Sequence, residues 1–169
     1  MSTDPSQRIL GTAFGGDDGS APTALRERLL AHAAGQASYA AVLGELLDAR
    51  VMVPVLAVAG EVELDERGLA HDKTADMATV LVTGADGRQA YLAFTAMETL
   101  AAWQGDARPV PVTFRDAAKA AIQDGAAAIV VDIAGPATYV VQGQDLEAAA
   151  HGYTLGTVGE RSAWIAPGA

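Results

Sequence analysis

The stretch that decides the fold runs from Arg88 to Gln123, RQAYLAFTAMETLAAWQGDARPVPVTFRDAAKAAIQ. Its apolar residues first cluster as in a strand and then recur at helical spacing, and this order occurs twice. It predicts strand, helix, short strand and helix, with a capping box at Thr95-Ala96-Met97-Glu98 and a helix cap at Thr113. The stretch therefore predicts a packed scaffold, and it holds no pattern typical of a reaction centre.

The flanking sequence extends the same mixture of helices and strands. Before this stretch, the apolar patterns predict helices from Pro22 to Gly35 and from Ser38 onward, and a strand from Arg50 to Ala59. Pro54 in that strand implies an edge position or a bulge, because proline cannot donate a ladder hydrogen bond. Further elements are predicted as follows: a hairpin over 77–94 turning at 84–87, a central buried strand over 127–133, a strand over 138–142 and a helix over 144–151.

These elements predict an α+β or mixed α/β fold in one domain. We expect a mixed β-sheet with an antiparallel hairpin, packed by amphipathic helices. The domain is predicted to span residues 22–152. Residues 1–21 are predicted to form a flexible tail and residues 153–169 a weakly specified tail, because both segments are rich in glycine and polar residues.

The charge balance argues against two classes of partner. The chain has 169 residues and a net charge of -10, from 11 basic and 21 acidic residues. Binding to nucleic acid or to an anionic membrane surface depends on clustered Lys and Arg, which the sequence lacks. No cysteine is present, which excludes thiolate metal sites and cysteine nucleophiles and fits a reducing compartment. With no secretory signal and no apolar run long enough to span a bilayer, the sequence predicts a cytoplasmic protein.

Motifs for chemistry are missing from the sequence. It has no Gly-x-Ser-x-Gly and no phosphate-binding glycine loop, so we predict no catalytic residue and no cofactor. Asp132 is the one acid within a strongly apolar strand, IVVDIAG. A buried carboxylate there would be a functional candidate. The alternative, which we favour, is that Asp132 ends the strand and bonds to the Gly135-Pro136 turn.

A dense acidic segment offers a weak candidate for a metal site. Over residues 61–76 it carries Glu61, Glu63, Asp65, Glu66, His71, Asp72 and Asp76. Alternate carboxylates on a strand share one face and could bind a divalent cation. The alternative, which we favour, is a solvated acidic loop.

Two tryptophans are candidates for contact with a partner. Trp103 ends a predicted helix and Trp164 lies in the C-terminal segment. Tryptophan often anchors interfaces, although packing of Trp103 at the edge of the core is the more frequent arrangement. An apolar segment around Trp164 could dock on its own domain or on a neighbouring subunit.

The sequence resembles the SseB N-terminal domain family over about Tyr39 to Leu146. The resemblance rests on these runs: Val51-Met52-Val53-Pro54-Val55, Tyr91 to Ala96 followed by a helix with Leu100 and Trp103, Val110-Pro111-Val112, and Val131 to Pro136. Ala96 stands where the family tends to have Ser, and Asp132-Ile133 departs from its usual turn. The resemblance implies a cytoplasmic bacterial α/β domain with no established set of catalytic residues.

Together these observations predict a non-enzymatic protein-interaction or regulatory module. Its partner would be another protein or a second copy of the chain, of unknown identity. The alternative is an enzyme that binds a small ligand or a divalent metal through the acidic region of residues 61–76.

Overall fold

The computed structural model describes residues 14–58, 63–64, 70–71 and 76–168. Its helices are α1 (Thr23–Ala33), α2 (Tyr39–Leu47), α3 (Met97–Trp103), α4 (Phe114–Gln123) and α5 (Gly143–Ala150). Its strands are β1 (Arg50–Val58), β2 (Glu63–Leu64), β3 (Ala70–His71), β4 (Asp76–Thr79), β5 (Leu81–Thr83), β6 (Gln89–Ala93), β7 (Arg108–Thr113), β8 (Ala128–Val131), β9 (Tyr139–Gln142), β10 (Thr154–Val158) and β11 (Arg161–Ile165). The predicted mixture of helices and strands in an α+β fold is confirmed.

Two sheets form the centre of the fold. One has the strand order β5-β6-β8-β9, in which β6 and β8 are parallel and the outer pairs are antiparallel. The other is antiparallel, with the order β4-β1-β7. A bridge joins them: the Met52 N–H donates to the Phe94 carbonyl at 2.7 Å, and Phe94 returns the bond at 2.9 Å.

The crossover between β6 and β8 passes through α3, β7 and α4. Because β6 and β8 run in the same direction, the segments that follow them leave the sheet at the same end. These segments begin at Phe94 and at Asp132. This relationship positions the site described below.

Local sequence accounts well for α2 and α4. Ser38 caps α2 by accepting from the Ala41 N–H, and the Thr113 hydroxyl caps α4 by accepting from the Asp116 N–H at 3.1 Å. Most of the apolar stripe predicted for each helix is buried, namely Val42, Leu43, Leu46 and Leu47 of α2 and Phe114, Ala117, Ala118 and Ala121 of α4. Two predicted members differ, because Tyr39 is only half-buried and Ile122 is 37% exposed. Gly35, with a φ of 73°, follows α1 and suits the left-handed stop.

The first turn of α3 differs from the prediction. The capping box at Thr95 is wrong, because Ala96 is the N-cap and the Thr95 hydroxyl bonds elsewhere. Helical spacing predicts that Met97, Leu100 and Ala101 face inward. Leu100 is buried, whereas Met97 is 41% exposed and Ala101 is also exposed. Bonds from outside the helix thus override the local cap signal.

Pro54 lies in a central strand, so the prediction of an edge position is wrong. It stands opposite Pro109 of β7. On its other side, β1 changes neighbours between Met52, which bonds to Phe94, and Val55, which pairs with Thr79. No donor is needed in that gap, which is why the proline is tolerated.

The predicted strand over 77–83 is split at Val80. Residues before the break belong to β4 and pair with β1, whereas residues after it belong to β5 and pair with β6. The chain therefore changes sheets inside one apolar run. The tight turn predicted at 84–87 is confirmed, since the Gly87 N–H donates to the Gly84 carbonyl at 3.0 Å.

Alternate residues of β1 and β6 serve two apolar clusters. Val51, Val53, Tyr91 and Ala93 pack into the larger cluster with α1, α2, α4 and α5. Met52 and Leu92 point the other way and pack against α3. The sheets are therefore covered on both faces by helices. In the described part of the chain, every helix is too short or too polar to cross a bilayer.

A C-terminal hairpin follows α5, although sequence patterns predict no element after Gly152. Its strands β10 and β11 pair in register from Thr154–Ile165 to Val158–Arg161. A lone two-stranded ribbon is marginally stable. Here Leu155 and Trp164 pack on the larger cluster, and the Arg115 guanidinium donates to the Tyr153 carbonyl at 2.7 Å.

Candidate functional site

A cleft of about 510 Å³ opens beyond the carboxyl ends of β6 and β8. In open sheets that contain parallel strands, ligands bind at such ends. We call it the Asp132 cleft. Its walls are the segment 18–21, one side of α1 (Arg26, Leu29 and Leu30), the start of α3 (Thr95, Ala96, Glu98, Thr99 and Ala102) and the turn after β8 (Asp132 and 134–137).

Asp132 and Thr95 are the only buried polar or charged residues in the described part of the chain. Asp132 is 3% exposed. Its Oδ1 accepts from the Thr95 N–H at 2.8 Å and from the Thr99 hydroxyl at 2.6 Å, and its Oδ2 accepts from the Thr95 hydroxyl at 2.6 Å. Three donors from one loop and helix therefore converge on one carboxylate.

The backbone of Asp132 is held in the left-handed region, with a φ of 52°. Asp tolerates that region better than most residues. The Asp132 N–H donates to the Ala93 carbonyl at 3.0 Å, and its own carbonyl accepts from the Gly135 N–H at 2.9 Å. The carboxylate was predicted to bond to this turn; it bonds instead to Thr95 and Thr99, and only the Asp132 carbonyl bonds to the turn.

The geometry limits what the Asp132 carboxylate can do. A general base must direct a lone pair at a substrate proton, and here fixed donors from the protein engage both oxygens. Thr99 has a single hydroxyl hydrogen, and its 2.6 Å contact with the carboxylate is shorter than the 3.0 Å contact with the Ala96 carbonyl. Charge-assisted bonds of this kind are strong, so the group fixes two loops against each other.

Residues 17–21, which we call the strap, form one wall of the cleft. The Arg50 guanidinium binds Asp17 with both ends of its fork, Nε to Oδ2 at 2.6 Å and Nη2 to Oδ1 at 2.8 Å. It also donates to the carbonyls of Ser20 at 2.6 Å and Thr95 at 2.8 Å. The Met97 N–H donates to the Gly19 carbonyl at 2.8 Å. Arg50 and α3 thus hold the strap in place.

The rim of the Asp132 cleft combines exposed apolar side chains with charges. Leu30 is 41% exposed on α1, and Ala134 and Pro136 are exposed in the turn after β8. Arg26, Glu98 and Asp18 add one positive and two negative charges. Hydrogen bonds from the Ser20 side chain and backbone lower the pKa of Asp18, so its carboxyl group stays ionised at neutral pH.

The acidic metal candidate falls largely outside the described residues. Glu61, Asp65, Glu66 and Asp72 lie there, whereas Glu63 and His71 are paired in the backbone ladder of β2 and β3, and Asp76 begins β4. Within residues 14–58 and 76–168, no three His, Asp or Glu side chains come together as metal ligands would. The metal site on residues 61–76 stays a prediction.

The two tryptophans lie away from the Asp132 cleft. Trp103 is half-buried against Phe94, with ring centroids 5.5 Å apart. Trp164 is also half-buried, and its Nε1–H donates to Asp145 at 2.9 Å. Both rings therefore pack on their own domain, and their role as partner anchors stays a prediction.

An aromatic group lies near Trp164. Tyr39 and Tyr139 stack with centroids 4.9 Å apart, and the His32 ring meets Tyr139 edge-on at 5.6 Å. Burial, and next the charge of Asp145, raises the pKa of Tyr39 to about 12. Burial also raises the pKa of Tyr139. These phenols stay protonated at neutral pH and contribute packing.

Sequence reasoning found Asp132 but missed the residues that complete the site. Thr95 was predicted to cap a helix, and Thr99, Arg50 and the strap carried no prediction of a site. An arginine opening an apolar strand does signal a charged contact, since burying an unpaired charge is costly. The signal does not name its partner, because Asp17 is 33 positions away from Arg50.

Comparison with protein families identifies one match. The sequence model of the SseB protein N-terminal domain matches residues 25–148. The match confirms the resemblance found in the sequence, and it covers α1 to α5 almost completely. A search of curated proteins and a search of solved structures each returned no match.

Proposed function

We propose that this chain, which belongs to the SseB N-terminal domain family, acts as a non-enzymatic protein-interaction or regulatory module. The contact surface is the Asp132 cleft, and the partner is another protein. Its place of action is the cytoplasm, in keeping with the absence of cysteine.

One observation carries the proposal: the buried polar groups of the cleft bond to each other, while some of its apolar side chains are exposed at the rim. Asp132 accepts three hydrogen bonds from Thr95 and Thr99. Leu30 at the rim is 41% exposed, and Ala134 in the turn after β8 is also exposed. Apolar side chains next to a concavity are typical of surfaces that a partner covers.

The cleft suits a protein segment in size as well. Ligand pockets usually measure about 300–1,000 Å³, and this one measures about 510 Å³. Its walls are rigid on two sides, because Arg50 and Met97 fix the strap and Asp132 fixes the loop before α3. A preformed cavity favours binding, since little conformational entropy is lost at the protein.

The test is quantitative capture of partners by the tagged full chain in its own cells, with matched variants. Leu30→Asp and Ala134→Asp place charge on the rim. Ile122→Asp is the control, because Ile122 is 37% exposed on α4 and lies outside the cleft. We expect one partner to be retained by the wild type and the control and lost from both rim variants.

Two results would contradict the proposal. One is capture of the same proteins, or of none, by all four chains. The other is turnover of a metabolite by the purified chain that stops in Asp132→Asn, because a carboxylate that accepts three hydrogen bonds within the protein would then be taking part in chemistry.

A further inference from the structure

The charge around the Asp132 cleft is predominantly negative. At the rim, Asp18 and Glu98 oppose the single cation Arg26. Behind the wall lies the Asp132 carboxylate, whose hydrogen-bond partners among the described residues are all neutral groups. The nearby guanidinium of Arg50 is matched by Asp17. The cleft therefore presents a net negative potential to whatever enters it.

The apolar part of the cleft lining consists mainly of small residues. They are Ala21, Ala96, Ala102, Ala134, Pro136 and Ala137, together with the larger Leu29 and Leu30. Small side chains leave the cavity empty, and a buried apolar side chain from a partner would fill it. Such burial contributes roughly 25 cal/mol per Å² of apolar area. An apolar anchor is the group that this lining favours.

We propose that the Asp132 cleft binds a protein segment that carries an apolar side chain within two residues of a Lys or Arg. This inference rests on the proposed function and names the chemistry of its partner. The apolar side chain enters the cavity between Leu30 and Pro136, and the cation lies beside Asp18 and Glu98.

The charge of the whole chain supports the same partner. With a net charge of -10, the chain attracts cationic segments from a distance and repels acidic ones. Complementary charges of this kind raise association rates and select partners more than they raise affinity. The apolar anchor supplies the affinity, and the flanking cation supplies the selection.

The test selects binders of the full chain from a displayed library of random twelve-residue peptides. An extended peptide of about that length is several times longer than such a cleft. We expect enrichment of sequences with an apolar residue next to Lys or Arg. One selected peptide, labelled with a fluorophore, is then titrated against variants. Leu30→Asp and Glu98→Lys are expected to weaken binding at least about tenfold.

The controls match each variant in chemistry and exposure. Ile122→Asp on α4 matches Leu30→Asp, and Glu160→Lys in the turn between β10 and β11 matches Glu98→Lys. Both control variants are expected to bind the peptide as the wild type does. Raising the salt concentration is expected to weaken binding to the wild type, and to weaken binding to Glu98→Lys by a smaller factor because Asp18 and the negative charge of the chain remain.

Several outcomes would overturn the inference. Enriched peptides without basic residues, or binding unaffected by Glu98→Lys, would show that the partner needs no Lys or Arg, and the proposed function would still stand. No enrichment of any peptide would contradict the binding of a linear protein segment. A dimer in light scattering that Leu30→Asp dissociates would assign a second copy.

Discussion

Asp132 and Thr95 lie 37 positions apart and share two hydrogen bonds, from the Thr95 N–H at 2.8 Å and from its hydroxyl at 2.6 Å. The two residues follow β8 and β6, which are neighbouring parallel strands. Their bonds therefore join the two loops at the end of the sheet from which the Asp132 cleft opens. This pair turns a sheet edge into a cavity with fixed walls.

Replacing the Asp132 carboxylate should destabilise the protein strongly. Asp132→Ala leaves the N–H and the hydroxyl of Thr95 without an acceptor, leaves the Thr99 hydroxyl only its 3.0 Å bond to the Ala96 carbonyl, and places Ala at a φ of 52°. We expect a loss of roughly 3–5 kcal/mol in the free energy of unfolding, because bonds to a charged group contribute about 1.5–3 kcal/mol each and are not additive. Asp132→Asn should lose less, because Asn accepts at Oδ1 and tolerates this φ. Urea denaturation measures both values, and a loss below about 1 kcal/mol for Ala would contradict a structural role.

The strap should depend on the planar fork of Arg50 and not on its charge alone. Arg50→Lys keeps the charge but cannot hold Asp17 with two ends while also reaching Ser20 and Thr95. We expect the Met97 N–H, which donates to Gly19, to exchange with solvent at least about tenfold faster, equivalent to about 1.4 kcal/mol.

Arg88→Lys is the matched control for that exchange measurement. Arg88 forms an exposed pair with Asp86 and does not contact the strap. Exposed pairs contribute little to stability, so exchange at Met97 should be unchanged in this variant. Equal exchange rates at Met97 in all three proteins would mean that Arg50 does not hold the strap.

Two glycines test how closely the strap approaches α3. Gly19 and Gly16 both have a positive φ, at 79° and 95°. A Cβ on Gly19 would lie 2.6 Å from the Met97 Cγ, whereas a Cβ on Gly16 would meet nothing within 4 Å. Both substitutions to Ala carry the left-handed penalty of roughly 1–2 kcal/mol, so the difference between them isolates the contact. We expect Gly19→Ala to have the lower melting temperature, and the reverse order would mean that the strap lies farther from Met97.

Alkaline pH should destabilise the protein through its buried tyrosines. The pKa of Tyr39 rises from 10.0 to about 12 because of burial and then the charge of Asp145. The raised value means that the unfolded chain loses the phenolic proton first. Stability is therefore fully present below pH 10.0 and falls as the pH rises toward about 12.

Denaturant unfolding across that pH range measures the effect. Tyr39→Phe should flatten the decline without removing it, because burial also raises the pKa values of Tyr91 and Tyr139. Identical declines in Tyr39→Phe and the wild type would show that Tyr39 does not titrate with unfolding.

The parts of the fold that depend on local signals were predictable. The stripe of α2 and the Thr113 cap of α4 follow from residues within one or two turns of each other. The parts of the fold that depend on contacts between residues far apart in the sequence were not predictable. The split at Val80 and the central place of Pro54 both depend on which strand lies alongside, and hydrophobic periodicity does not contain that information.

Only one residue of the candidate site, Asp132, was predictable from the sequence. An acid in an apolar strand marked Asp132, because burial of a carboxylate requires compensation. The compensation comes from Thr95, whose local sequence instead favours a helix cap. Strand order brings the two together, and the parallel pairing of β6 with β8 was not readable from either segment alone.

The most direct test of the central claim is chemical-shift mapping on the ¹⁵N-labelled full chain, titrated with the captured partner or a selected peptide. We expect the perturbed amides to cluster at Leu29, Leu30, Glu98 and the turn residues Ala134, Gly135 and Ala137, with β10 and β11 unaffected. Perturbation confined to β10, β11 or residues 61–76, with the Asp132 cleft unchanged, would contradict it.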